Sequence, residues 1–236
     1  MSDIIQIKKV SDFHTINPLE VTRFFNIAGL QSLQDEFARR LGVASIITYP
    51  NGVPLTKPSN FSRLCQIIRK TKKGEMNCIN SDKIIGGSTR DGATIQPCKS
   101  GGLWDAGVRI HVRGEYIASW LIGQVMNAEQ ATKIDKMMYY ARDIGANIDD
   151  FSAAIAQVTV MDEEKFTAIS NALFVFAKQL GRFAEHHTVD DCSEYKAELG
   201  NIIAKQPSIS VLYEIWDKMI VDYHQGKLSV DPDIIV

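Results

Sequence analysis

Residues 106–125 read AGVRIHVRGEYIASWLIGQV, and this stretch decides the fold because it holds two strands joined by a tight turn. In the first half, Val108, Ile110 and Val112 alternate with polar residues, which is typical of a strand with one buried face. Gly114 then supplies the turn. Residues 116–125 are apolar on both faces, which predicts a central strand that is covered on both sides.

Three further segments predict that this pair belongs to a sheet of five strands. Residues 43–49 form a β-branched run, and Asn51-Gly52 then gives a strong hairpin signal before a short return strand at 53–56. Residues 94–98 give another strand, and two helices precede it. The predicted fold class is therefore α+β, with a PAS-like five-stranded antiparallel sheet flanked by helices and a C-terminal helical extension.

The composition of the 236-residue chain is that of an ordinary globular protein, with 45% hydrophobic and 23% charged residues. A net charge of −2 predicts no binding to nucleic acid through bulk charge. The basic run of Arg63, Arg69, Lys70, Lys72 and Lys73 is typical of the solvated face of a helix. No apolar run is long enough to cross a bilayer, and residues 1–10 lack the apolar core of a signal peptide. We therefore expect a cytoplasmic protein with reduced cysteines and no membrane partner.

Asp162 is the predicted cap of a long helix that carries a regular apolar seam. The seam residues recur at alternating spacings of three and four: Phe166, Ile169, Leu173, Phe176, Leu180 and Phe183. Such a seam is compatible with two arrangements. The helix either packs on its own domain, or it pairs with its twin in a homodimer and passes a signal on.

Three of the four cysteines, Cys65, Cys78 and Cys98, fall on two predicted helices and at the end of a strand. These three elements can converge on one point. Their thiolates would suit tetrahedral zinc together with one further ligand, and zinc is the one cofactor that the sequence suggests. A thiolate would also react reversibly with an electrophile such as an aldehyde. The remaining alternative is that the cysteines are small buried hydrophobic residues.

Residues 98–107 read CKSGGLWDAG and form the other unusual feature of the chain. Trp104 and Asp105 place a large apolar ring beside a polar acceptor, a combination that is common in small-ligand pockets. The alternative is a tight loop in which Trp104 fills the core and Asp105 caps a backbone group. No P-loop, G-x-G-x-x-G, H-E-x-x-H, G-x-S-x-G or C-x-x-C motif is present, so we do not expect an enzyme. A thiol-dependent enzyme would need His111 as its base and is the least favoured reading.

Taken in order, these residues resemble a known family, the PocR-type ligand-binding sensory domain, which is a PAS variant of bacterial and archaeal signalling proteins. The resemblance covers about residues 18–186. Its landmarks are Leu30 to Phe37, Asn51-Gly52 with Pro54, Lys57 to Phe61, Cys65, Cys78 with Ser81-Asp82, Gln96-Pro97-Cys98, Ser100 to Gly107, and Ala118 to Val125. Lys99 and the pair Gly101-Gly102 depart from the form that many relatives have.

The resemblance implies a non-catalytic sensor that binds a small organic ligand, such as a hydrocarbon derivative, a short alcohol or an aldehyde. It implies signalling to an output protein such as a kinase or a transcription regulator. The chain divides into an N-terminal arm (1–17), the sensory domain (18–160), an output or dimerisation helix (161–187) and a C-terminal helical tail (188–236). The predicted ligand-binding residues are Cys65, Cys78, Cys98, Trp104, Asp105, Trp120 and Gln124. The three cysteines are also the alternative metal ligands.

Overall fold

The computed structural model describes residues 21–186, apart from residues 23, 90 and 133. The predicted arm (1–17) and tail (188–236) therefore lie outside the described residues. The main helices are α1 (Ile27–Leu41), α2 (Arg63–Arg69), α3 (Lys72–Gly87), α4 (Ala128–Thr132), α5 (Asp135–Asp143), α6 (Ile148–Ile155) and α7 (Glu163–His186). The strands are β1 (Ala44–Thr48), β2 (Thr94–Pro97), β3 (Trp104–Val112) and β4 (Glu115–Val125).

The strands form an antiparallel sheet in the order β1-β4-β3-β2. The apolar strand β4 lies between β1 and β3, as its two-sided hydrophobic pattern predicts. The β3–β4 hairpin turns at Arg113 and Gly114, whose φ angles of 53° and 79° are both positive, as a tight hairpin turn needs. The α+β class is thereby confirmed.

The prediction of a fifth strand at residues 53–56 is wrong. One isolated bridge joins Thr48 to Pro54, and Pro54 has no N–H with which to continue a ladder. Backbone bonds join the segment to the chain around β1 at a few points, such as the N–H groups of Leu55 and Thr56 to the carbonyl oxygen of Ile47, and side chains bond the N–H at this edge. The backbone N–H of Ile47 donates to Gln34 Oε1 and to Thr56 Oγ1, each at 2.9 Å. The described sheet thus has four strands, and the PAS-like architecture stays a prediction.

Helices cover both faces of the sheet, which gives the domain two apolar cores. The first core joins α1 and α7 to one face of the sheet. Alternate residues of the strands point to this face, including Val108, Ile110, Trp120 and Ile122. The second core joins α2, α3, α5 and α6 to the opposite face, where Leu121 lies. Because neighbouring residues of a strand point to opposite faces, β1 and β4 contribute to both cores, whereas the apolar residues of β3 all belong to the first core.

The seam of α7 packs on the domain's own sheet. Phe166, Ile169 and Leu173 are fully buried in the first core. Near the other end of the helix, a Cβ added at Gly181 would lie 1.9 Å from the carbonyl oxygen of His111, so the helix backbone lies directly against β3. The structure therefore has the first of the two arrangements that the seam allows, and dimerisation stays a prediction.

Within the described ranges, no helix combines the length and the apolar character that crossing a bilayer requires.

Candidate functional site

A pocket opens between the sheet and helices α2 and α3, on the face opposite to α7. Its empty space is about 410 Å³, including the part that is open to solvent. Three of the predicted elements meet there, because the pocket is lined by Cys65 of α2, Cys78 of α3 and Cys98 directly after β2. Its other polar lining residues are Ser45, Arg69, Ser81, Asp82, Ser100, Asp105 and Gln124. Its apolar lining residues are Ala44, Ile46, Phe61, Leu121 and Ile122.

Side-chain caps fix the two helices that carry Cys65 and Cys78. Ser62 caps α2, because its Oγ accepts a hydrogen bond from the backbone N–H of Cys65 at 3.2 Å. Thr71 caps α3 in the same way, through the N–H of Gly74 at 3.0 Å. The caps fix where each helix begins, and with it the positions of Cys65 and Cys78 along the two helices.

The three thiols are buried and favour their neutral form. Burial raises the pKa of Cys65, Cys78 and Cys98, and the carboxyl group of Asp105 adds to this effect at all three. The Cys98 thiol donates to the carbonyl oxygen of Ser100 at 3.0 Å. A neutral thiol is a poor nucleophile. No group of three or more His, Cys, Asp or Glu residues in the described ranges has a geometry that could hold a metal ion.

Asp105 lies where β3 begins, beside a shift in the β3–β4 register. Its Oδ1 accepts a hydrogen bond from the backbone N–H of Gln124 at 2.8 Å. Burial raises the pKa of the Asp105 carboxyl group from 3.8 to about 7, although this hydrogen bond opposes the shift. Gly123 makes the approach possible, since a Cβ there would lie 2.3 Å from Asp105 Oδ1. The pocket thus contains a carboxyl group that exchanges its proton near neutral pH.

Gln124 connects the end of β4 to the start of α2. It has a φ of 59°, which is uncommon for a residue other than glycine. Its Oε1 accepts hydrogen bonds from the backbone N–H and the hydroxyl group of Ser62, at 2.8 and 3.0 Å. A costly backbone conformation at a pocket is a common feature of functional sites.

An ion pair that the sequence analysis missed forms one side of the pocket. Arg69 Nη2 lies 2.7 Å from Asp82 Oδ2, and the guanidinium lies over the Phe61 ring at 5.2 Å. The Arg69 Nε–H is buried and has no hydrogen-bond acceptor in the described part of the chain. The interpretation of the basic run as a solvated face is therefore wrong for Arg69, whereas the other four residues of the run are exposed. The available signal was the spacing of four residues from Cys65 to Arg69 and from Cys78 to Asp82.

The structure places two predicted site residues outside the pocket. Trp120 is fully buried on the opposite face of the sheet, where its Nε1–H donates to Ser45 Oγ at 2.8 Å. The Trp104 ring faces Phe166 of α7, with centroids 6.3 Å apart. His111 does not line the pocket either, and its ring lies 5.8 Å from that of Tyr116. The pocket therefore joins five of the seven predicted residues: Cys65, Cys78, Cys98, Asp105 and Gln124.

In a comparison with protein-family models, residues 23–184 match a family described as "Sensory domain found in PocR". This range covers more than half of the chain. The chain belongs to the PocR sensory-domain family. No curated protein and no solved structure matches it. The resemblance to this family that the sequence indicated is thereby confirmed. The family is one of sensory signalling domains and is not a catalytic family.

Proposed function

We propose that this PocR domain senses a small organic molecule, such as a hydrocarbon derivative, a short alcohol or an aldehyde, that binds in the pocket above β1, β3 and β4. The observation that carries the proposal is the convergence of the three cysteines, Asp105 and Gln124 on this one space. Small-ligand sites typically combine apolar walls with a few polar groups. Here Ile46, Phe61 and Leu121 supply apolar surface.

The neutral thiols favour non-covalent recognition in this proposal. With the pKa values of all three cysteines raised by burial, their S–H groups serve as weak donors and soft apolar surface. Two carboxyl groups line the pocket in the described structure, and Asp105 is the one without an ion pair. It can accept or donate a hydrogen bond, according to its protonation. A hydroxyl or carbonyl group of the ligand would bond there.

A relay to α7 has a direct backbone route in this proposal. Met126 lies two residues after Gln124, and its N–H donates to the carbonyl oxygen of Thr159 at 2.9 Å. Met126 also accepts from the N–H of Met161 at 2.8 Å. The next residue, Asp162, caps α7 by accepting from the N–H groups of Glu164 and Lys165. A ligand that shifts the end of β4 would therefore move the start of α7.

The proposal extends to the setting of the domain, following the family resemblance. The domain would act in the cytoplasm as a homodimer, and α7 would pass the signal to an output protein such as a kinase or a transcription regulator. Signalling requires two states of the domain that differ in the position of α7, and a ligand can shift the equilibrium between them only by its differential affinity for the two states.

Native mass spectrometry of the freshly purified, reduced protein tests the proposal, with the Cys98→Ser variant beside it. We expect the purified protein to carry an added organic mass, or to gain one after incubation with 1-propanol, 1,2-ethanediol or propanal. The fraction of protein that carries this mass should be lower in the variant. An added mass of zinc that disappears in the variant would contradict the proposal and favour a cysteine-ligated metal site. A bare protein that also shows no thermal shift with any of the three probes would contradict it as well.

A further inference from the structure

The pocket wall formed by residues 98–102 is held from outside by a helix that contributes no lining residue. The hydroxyl group of Tyr140, on α5, lies 2.7 Å from Ser100 Oγ. Asn77 Nδ2, on α3, donates to the same tyrosine oxygen at 3.0 Å. Ser100 lines the pocket, whereas Tyr140 does not. The three side chains connect α3, α5 and the wall of the pocket.

Counting protons gives this connection a direction. Asn77 uses the Tyr140 oxygen as an acceptor, so the single Tyr140 hydrogen is available for Ser100 Oγ. Ser100 Oγ also accepts from the Cys78 thiol at 3.2 Å, and its own hydrogen points towards the carbonyl oxygen of Gly74 at 3.4 Å. Tyr140 thus sets the orientation of the Ser100 hydroxyl group and, through it, the contact with Cys78.

The segment that carries Tyr140 is weakly anchored. Helix α4 buries none of its residues, and α5 buries only Met137 and Ala141. The ion pair of Lys73 with Asp143 is exposed at both ends and contributes little. Segments with few buried apolar contacts open at low free-energy cost, so each hydrogen bond from α5 to the wall has a large effect on opening.

Hydrogen bonds to neighbouring helices hold the backbone of the pocket wall, residues 98–102, on two sides. Gly101 and Gly102 have φ angles of 98° and 80°, which allow the tight turn after Cys98. The Lys99 N–H donates to Ser81 Oγ at 3.0 Å, so one side of the turn is fixed to α3. On the other side, Ser100 is bonded to Tyr140 of α5, and the carbonyl oxygen of Gly102 accepts from Gln130 Nε2 of α4 at 2.8 Å.

We propose that Tyr140 is a positioning residue of the ligand pocket, and that its hydrogen bond to Ser100 controls access to the Cys78 side of that pocket. The inference concerns the pocket of the proposed function, and it deepens that function by assigning the residue that regulates entry and exit. It is tested without any ligand, so its failure is distinguishable from failure of the proposed function.

The test is the alkylation rate of each cysteine by iodoacetamide in the native, reduced protein, mapped by peptide mass spectrometry. Tyr140→Phe removes only the hydroxyl group, and we expect the Cys78 rate to rise about threefold to tenfold from loss of one hydrogen bond. Cys65 serves as the internal control, because it lies on α2 and its hydrogen bond, from the backbone N–H to Ser62 Oγ, does not involve Tyr140. Its rate should stay within about twofold of the wild-type rate.

Tyr139→Phe is the matched control, since Tyr139 is on the same helix and 73% exposed. It should change neither rate. An unchanged Cys78 rate in Tyr140→Phe would overturn the inference, and so would equal rises at Cys65 and Cys78, which would indicate a general loss of stability. If Tyr140→Phe does not fold, Ser100→Ala removes the bond to Tyr140 together with those to Cys78 and Gly74, and the Cys78 rate should rise selectively by at least as much. Adding Tyr140→Phe to Ser100→Ala should give no further rise, because the Tyr140–Ser100 bond is already lost in Ser100→Ala.

Discussion

The Asp105 carboxyl group and the backbone N–H of Gln124 are joined by a hydrogen bond of 2.8 Å across the β3–β4 pair. This bond brings together the two strands that line the pocket, at the point where β4 leads to Met126 and the start of α7. Trp104, the neighbour of Asp105, faces α7 on the other side of the sheet. The pocket and the C-terminal helix are thus linked through adjacent residues.

Replacing Asp105 by Asn should change the pH dependence of stability. Burial raises the pKa of Asp105 to about 7, so between about pH 4 and pH 7 the folded state binds more protons than the unfolded state. The free energy of unfolding of the wild type should therefore fall as pH rises through this window, by at most about 1.4 kcal/mol per pH unit. Asp105→Asn lacks this contribution, and its Oδ1 can still accept from Gln124.

Urea unfolding of both proteins at pH 5, 6, 7 and 8 measures this effect. The stability of Asp105→Asn relative to the wild type should increase with pH and level off above the folded pKa. Asp149→Asn, at an exposed aspartate, is the control and should show a constant difference. A constant difference for Asp105→Asn would mean that Asp105 is ionised across the whole range.

Gln34 is expected to be the most sensitive polar residue of the β1 edge. Its Nε2 donates to the carbonyl oxygens of Ser45 and Lys57 at 3.2 and 2.8 Å, and its Oε1 accepts from the N–H of Ile47. Gln34→Ala removes all of these bonds from a buried site, but each backbone group keeps a second partner: Thr56 Oγ1 for the Ile47 N–H, the Ser59 N–H for the Ser45 oxygen and Gln31 Nε2 for the Lys57 oxygen. The free energy of unfolding should therefore fall by about 1–3 kcal/mol. Urea titration measures the loss, and Gln157→Ala at an exposed position should stay within about 0.5 kcal/mol of the wild type. A loss below that control would show that solvent or other groups replace the Gln34 bonds.

Gly181→Ala should separate α7 from β3. The helix propensity of alanine alone would stabilise α7 by about 0.5–1 kcal/mol. The new Cβ, however, would lie 1.9 Å from the carbonyl oxygen of His111, so the helix must shift, which should cost about 1–3 kcal/mol or more. Thermal unfolding should therefore show net destabilisation, whereas Val175→Ala, at a partly exposed position of the same helix, should change little. A stabilised Gly181→Ala protein would contradict this packing.

Ligand binding should alter hydrogen exchange at the start of α7. The bonds of Met126 to Thr159 and Met161 connect this helix to the pocket strand, so residues 163–173 should exchange at a different rate once a probe is bound. The reference is residues 36–40 of α1, whose described side-chain contacts reach no lining residue of the pocket. A probe that binds in the pocket and leaves α7 exchange unchanged would contradict the relay, though not the binding.

Much of the fold and part of the site could be predicted from the sequence, for identifiable reasons. The alternating pattern of β3 and the doubly apolar β4 decide the centre of the sheet. No fifth strand forms at Pro54, and the Ile47 N–H at this edge of β1 bonds to the side chains of Gln34 and Thr56 and not to a strand backbone. Long-range pairing of this kind has no local signal in the sequence.

Strand geometry explains which of the predicted site residues line the pocket. Trp104 and Asp105 are adjacent, so they point to opposite faces of β3, and only Asp105 reaches the pocket. Arg69 belongs to a run of basic residues, and such a run is typical of a solvated helix face. Its position one helical turn after Cys65 was the signal that places it beside the pocket. The role of Tyr140 depends on how α5 packs beside α3, which no spacing within α5 reveals.

The central claim, that small organic molecules bind at the cysteine-lined pocket, is tested most directly by ¹H–¹⁵N correlation spectra during titration. The probes are 1-propanol, 1,2-ethanediol and propanal, added to the reduced, ¹⁵N-labelled protein. The account predicts that at least one probe shifts the amide signals of Ser62, Cys65, Ser100 and Gln124 saturably. Shifts confined to the opposite face, around Phe37 and Trp120, or no saturable shift with any probe, would contradict it.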